Sequence, residues 1–108
     1  MEARITSTDE WWLGDPNESH FQIMSNAIEK VWGIKPMYVR EGGTIRVTTY
    51  LENLLSAQAL HFPMGQSSDR AHLDNERIRL ENLMKGKDVL KEFLRQLGES
   101  HTREVGTM

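Results

Sequence analysis

Two short stretches hold the residue types that do chemistry. The first is Arg40-Glu41-Gly42-Gly43-Thr44. Two glycines let a backbone pass close to another group, and Thr44 can cap a helix that follows it. The free N–H groups of a helix start attract an anion such as a carboxylate or phosphate. A tight turn is the plainer use of a Gly-Gly pair, and the spacing matches neither the dinucleotide fingerprint nor the P-loop, so nucleotide binding is poorly supported. The second stretch is SSDRAHLDNE, residues 67–76. His72 has Asp69 before it and Asp74 and Glu76 after it. An imidazole so placed can bind a metal through one nitrogen while a carboxylate or backbone carbonyl orients the other. A solvated surface histidine is the plainer reading, because a zinc site wants three or four convergent ligands. His20, His61 and His101 lack comparable company, with His20 expected on an exposed helix face and His61 within a strand. Ser67 and Ser68 lie close to His72 in sequence, but such neighbours rarely reach the geometry of a nucleophile and its base.

Composition bounds what could position these groups. The chain has 108 residues, 13 Lys+Arg against 16 Asp+Glu, and no cysteine. That length allows one small domain at most, with a thin core. A net charge of −3 argues against a nucleic-acid binder, which gathers Lys and Arg on one face. The lack of cysteine excludes a disulfide scaffold, a thiolate metal site and a cysteine nucleophile, and fits a reducing, cytoplasmic setting. No apolar run approaches the ~20 residues that span a bilayer, and the first residues do not read as a secretory signal.

Periodicity then sets the elements. Residues 2–8 alternate as a short edge-like strand. Asp15 as cap, Pro16 at the first helical position and Glu18 three residues after the cap predict a helix over 16–32, with Phe21, Met24, Ile28, Val31 and Trp32 on its apolar face and Gly33 as its stop. Residues 36–40 read as a strand entering the Gly-Gly turn, and Ile45 to Leu55 as a helix weakened by Val47, Thr48 and Thr49. Residues 58–63 read as another short strand. The last helix carries Leu80, Leu83, Met84, Leu90, Phe93, Leu94 and Leu97 on one stripe, is interrupted by Gly86, and is expected to stop at Gly98. Strands separated by single helices become parallel neighbours. So few short strands do not make a self-sufficient sheet, and the helices carry more apolar surface than they can cover. The expected fold class is α/β, as the end of a larger domain.

Taken together, "MYVREGGTIRVTTYLE" and "ALHFPMGQSSDRAHLDNERIRLENLMKGKDVLKEFL" resemble the C-terminal end of the zinc-dependent carnosinase/aminoacylase/carboxypeptidase family of exopeptidases. The nearest branch resembles cytosolic nonspecific dipeptidase and the glutathione-degrading Cys-Gly dipeptidases. The resemblance implies a closing β-α-β-α-β-α part of a di-zinc peptidase catalytic domain with an incomplete sheet: residues 1–10 as the last lid strand, 11–98 as the end of the catalytic domain and 99–108 as a disordered tail. It implies that His72 is the final zinc-ligating histidine, and that Glu41, Gly43 and Thr44 form the substrate-pocket turn, with Thr44 near the substrate's carboxylate or backbone. Asn75 and Glu76 match a supporting Asn-Glu pair. Arg46 stands where the family's dipeptidases usually have Pro, and Arg70 where most have a small residue. Arg70 can reshape the pocket or pair with Asp69.

The chemistry implied by the resemblance is metal-assisted hydrolysis of dipeptides or small peptides such as Cys-Gly or carnosine, with two zinc ions, or manganese in their place, and a Glu base. The base and the other ligands lie upstream in the family, so this chain alone is expected to be inactive, and no catalytic residue is assigned within it. An intact relative is expected to be a homodimer; this chain is otherwise expected to need its missing N-terminal part. Neither a nucleic acid nor a membrane is expected as a partner. The competing readings are a noncatalytic interaction module derived from the peptidase fold and a free-standing anion-binding domain using Gly42-Gly43-Thr44.

Overall fold

The computed structural model describes residues 12–40 and 46–106. The first helix, α1, spans Ser19–Trp32, three residues later than Pro16 suggests. Asp15 is the reason. Its carbonyl accepts the Glu18 N–H at 3.1 Å and its Oδ1 accepts the Asn17 N–H at 3.0 Å, closing a turn in which Pro16 takes the second position. Glu18 then occupies the cap position without a side-chain cap bond, its carboxylate lying 2.9 Å from His20 Nδ1 instead. The helix ends as its sequence dictates: Gly33 adopts φ 77° and gives its N–H to the Glu29 carbonyl at 2.8 Å.

Helix α2 spans Arg46–Leu55, a single 3-10 turn covers Ser67–Asp69, and helix α3 runs Leu80–Gly106. Gly98 does not stop α3. The Thr102 hydroxyl donates to the Gly98 carbonyl at 2.9 Å, and Arg95 bridges Glu92 and Glu99 along the same stretch, so local bonds carry the helix past the glycine into the tail expected to fray. Among the described residues no β-ladder forms. Residues 36–40 and 58–63, both expected as strands, are neither helical nor paired; a strand exists only where a second backbone offers its N–H and C=O groups, and among the described residues none is offered here. The edge-like strand at 2–8 lies outside the described residues.

What core there is lies between α1 and α3. Met24, Ala27 and Val89 are its buried residues, with Ile28, Val31, Leu60, Phe62 and Phe93 half-buried around them. On α3 the inward line is Asn82, Gly86, Val89, Phe93 and Gln96, at helical spacing, whereas Leu80, Leu83, Met84, Leu90, Leu94 and Leu97 are exposed. Of the stripe expected from periodicity, Phe93 alone packs against the core that α1 covers, and its leucines and Met84 do not. Gly86 belongs to the covered line for a steric reason: a Cβ there would lie 2.8 Å from Met64 Cγ, so any larger residue would have to displace the Met64 side chain that packs over it. Across the outer edge, Lys30 Nζ reaches Glu92 Oε1 at 3.1 Å and Lys85 Nζ sits 4.3 Å over the Trp32 ring.

The radius of gyration is 17.2 Å, against about 13 Å for a compact domain of this length. Met37, Val39 and Ile34 are 85%, 77% and 74% exposed. Large apolar side chains left this open within one short segment are the kind that belong against other protein.

Candidate functional site

His72 sits in a loop built by short-range bonds. Gln66 and Asp69 cap the 3-10 turn reciprocally: the Gln66 N–H donates to Asp69 Oδ2 at 2.9 Å and the Asp69 N–H to the Gln66 carbonyl at 3.0 Å. The Arg77 N–H closes the far end onto the Asp69 carbonyl at 2.9 Å, and Asn82 of α3 donates to Gln66 Oε1 at 2.9 Å, fastening the loop to the helix. Between these fastenings the Leu73 N–H bonds the Arg70 carbonyl at 3.0 Å. Arg70, His72 and Asn75 all take left-handed backbone, at φ 58°, 63° and 62°. Each such non-glycine residue is held at an expense of order 1 kcal/mol, and residues of this kind gather at functional sites.

The imidazole of His72 is exposed, and among the described residues no group of three or more His, Asp or Glu side chains converges to hold a metal. Its donor chemistry fits one position of a zinc site and no more: a neutral ring nitrogen, solvent-facing, on a loop whose backbone is tied down at both ends. Arg70 is exposed and Asp69 Oδ1 has no hydrogen-bond partner among the described residues, so the Arg70–Asp69 pair suggested by adjacency does not form there. Glu41, Gly43 and Thr44 lie outside the described residues; α2 is described from Arg46, two positions beyond Thr44.

The sequence left His61 without company, but the fold supplies it. Its Nε2 lies 2.8 Å from Oγ1 of Thr48, a buried residue of α2, and its ring stacks on Trp12 with centroids 4.4 Å apart. Glu52 of α2 also accepts the Ala59 N–H at 3.0 Å. These bonds fasten the helix that follows the Gly-Gly turn to the segment that leads into the His72 loop. Thr48 was read as a weak helix former, and its pairing with a histidine 13 positions away leaves no local signal. His20 is half-buried rather than on an open face. Alongside, Met24, Ile28, Met37, Leu60, Phe62 and Gly86 help line an apolar groove of about 480 Å³ between α1, α3 and the two irregular segments.

Comparison with known proteins identifies the architecture to which this loop belongs. The family described as peptidase family M20/M25/M40 matches residues 2–96, and the chain is a member of that family. It is 36% identical over 97 residues to the probable di- and tripeptidase DUG2 of Saccharomyces cerevisiae, covering 90% of this chain and 11% of the relative. It is 39% identical over 87 residues to the Cys-Gly metallodipeptidase dug1 of Schizosaccharomyces pombe, covering 81% of this chain and 18% of the relative. The solved structure of the dipeptidase Dug1p from Saccharomyces cerevisiae superposes with a TM-score of 0.75 at 31% identity, over 80% of this chain and 18% of that one. The chain thus spans less than a fifth of the length of each of these relatives, and its fold is that of the matching part of an M20 peptidase.

Proposed function

We propose that this chain supplies the C-terminal segment of a metallodipeptidase catalytic domain, hydrolysing Cys-Gly or a similar small peptide, with His72 as one ligand of a zinc or manganese site. The observation that carries this reading is the exposed imidazole of His72, tied into a strained and doubly fastened loop, in a chain that belongs to the M20 family. What a bound zinc supplies is a water acidified toward neutrality and polarisation of the peptide carbonyl. The chain's own part is positional. His72 offers its ring nitrogen from a fixed backbone, and Thr44, just ahead of α2, receives the carboxylate or backbone of the peptide at a helix start, where free N–H groups favour negative charge. Gly43 lets the substrate approach, and Glu41 receives its amino terminus. Residues 1–10 form the last lid strand and 11–98 the end of the catalytic domain. The setting is cytoplasmic, which agrees with the absence, among the described residues, of any helix long and apolar enough to cross a membrane. Dimerisation follows the full-length architecture.

On this reading the remaining ligands and the base come from other polypeptide, as the family resemblance implies; among the described residues no group of three or more His, Asp or Glu side chains converges. Purified alone with zinc or manganese, the chain is expected to show no Cys-Gly or β-Ala-His hydrolysis. Combined with the polypeptide that carries the missing ligands, it is expected to restore turnover, and His72→Ala to reduce it by at least about 100-fold. Full turnover by the His72→Ala assembly would defeat the assignment. The second reading, a noncatalytic docking module, is favoured by the exposed apolar residues Ile34, Met37 and Val39; stable association with that polypeptide without any turnover would select it.

A further inference from the structure

Resting on the reading of His72 as a metal ligand, we propose that Asp69 is its positioning residue. Asp69 is 8% exposed while Ser67, Ser68, Arg70, Ala71 and His72 around it are exposed. Placing a carboxylate out of water in an otherwise wet loop is unfavourable unless its bonds are needed. The carboxylate makes one such bond, Oδ2 taking the Gln66 N–H at 2.9 Å and fixing the start of the loop, while the main-chain carbonyl of the same residue takes the Arg77 N–H at 2.9 Å and closes its far end. Residues 70–76, with His72 among them, are thus strung between two fastenings on one residue. The left-handed backbone at Arg70 and His72 persists only where its surroundings over-determine it, and Asp69 is the part of those surroundings that reaches both sides. Gly65 is shaped to admit it, since a Cβ at position 65 would stand 2.8 Å from Asp69 Oδ2. The second oxygen, Oδ1, is buried and without a partner among the described residues. A residue chosen for stability alone would not leave that acceptor unsatisfied.

The chain combined with the polypeptide that carries the missing ligands tests this with cobalt(II) as the probe, following the ring protons of His72 by NMR as metal is added. Asp69→Ala is expected to raise the midpoint metal concentration by about 10-fold or more, the usual effect of deleting a group that orients a ligand, and to speed hydrogen exchange at the Gln66 amide, whose acceptor is Oδ2. Asp69→Asn, whose amide oxygen still accepts the Gln66 N–H, is expected to hold the midpoint near that of the wild type. Should Asp69→Ala lose the cooperative unfolding transition, Asp69→Glu decides instead: it displaces the carboxylate by one methylene, and a raised midpoint at an unchanged transition supports the proposal. An unchanged midpoint in whichever variant decides overturns the role of Asp69 and leaves the ligand reading standing. Absence of any response at His72 in the wild type overturns both.

Discussion

Glu92 shows how one side chain joins two helices. It accepts from Arg95 Nη2 at 2.6 Å, from Gln96 Nε2 at 3.0 Å and, across from α1, from Lys30 Nζ at 3.1 Å. The Arg95 guanidinium first, then Gln96 and Lys30, hold its carboxyl at about 2 instead of the ordinary 4.5. The folded chain binds that proton less tightly than the unfolded one. Its contribution to stability is therefore complete above pH 4.5 and disappears as pH falls through about 2. Thermal unfolding followed from pH 5 to pH 2 is expected to show a falling midpoint, with a smaller fall in Glu92→Gln. Parallel curves for the two proteins would mean that the three-donor arrangement has no weight in solution. The cluster of Thr48, His61 and Trp12 belongs to the same scale, because each residue is ordinary in its own neighbourhood and acquires a role only through a partner brought from elsewhere in the chain.

At the scale of elements, α3 has two apolar lines and α1 covers one of them. Val89 lies fully inside, against Met24 and Ala27, while Leu94, one turn further and rotated away, is 63% exposed. Val89→Ala removes two methyl-sized groups from a close-packed site and is expected to lower stability by roughly 2 kcal/mol. Leu94→Ala is expected to stay within about 0.5 kcal/mol. Denaturant titration of the two variants distinguishes the lines. Equal losses would mean that the leucine line is also covered in solution. Summed hydrophobicity does not separate these faces, since leucine and valine both favour burial, whereas Gly86 is the local clue to the covered side.

For the whole molecule, the balance of buried and exposed apolar groups is that of one portion of a larger domain. Three buried hydrophobic residues stand against many exposed ones, among them Ile34, Met37, Val39, Leu54 and Leu55. A chain with this surface is expected to associate with itself when its proper neighbour is withheld. Sedimentation velocity on the purified chain should therefore show a weight-average mass that rises with concentration, and Met37→Lys with Val39→Lys should lower it. A monomer at every concentration from micromolar to millimolar would show that these side chains are covered within the chain itself.

Much of this was legible from local chemistry. Gly33 closes α1, as expected, because a helix stop depends on a few adjacent residues. The family was legible too, since the two motifs keep their order and separation along the chain. Other features required the tertiary structure. The turn that takes Pro16 out of α1 depends on where the Asp15 carbonyl and side chain point, and the passage of α3 through Gly98 on bonds made one turn away. The strands were legible only as potential, because a ladder needs a second backbone that sequence alone cannot bring alongside. His72 could be singled out by its type and neighbours, but that Asp69 is buried and bonded to Gln66 and Arg77 on either side of it was decided by the fold, which alone determines which polar groups are removed from water and what they must then bond.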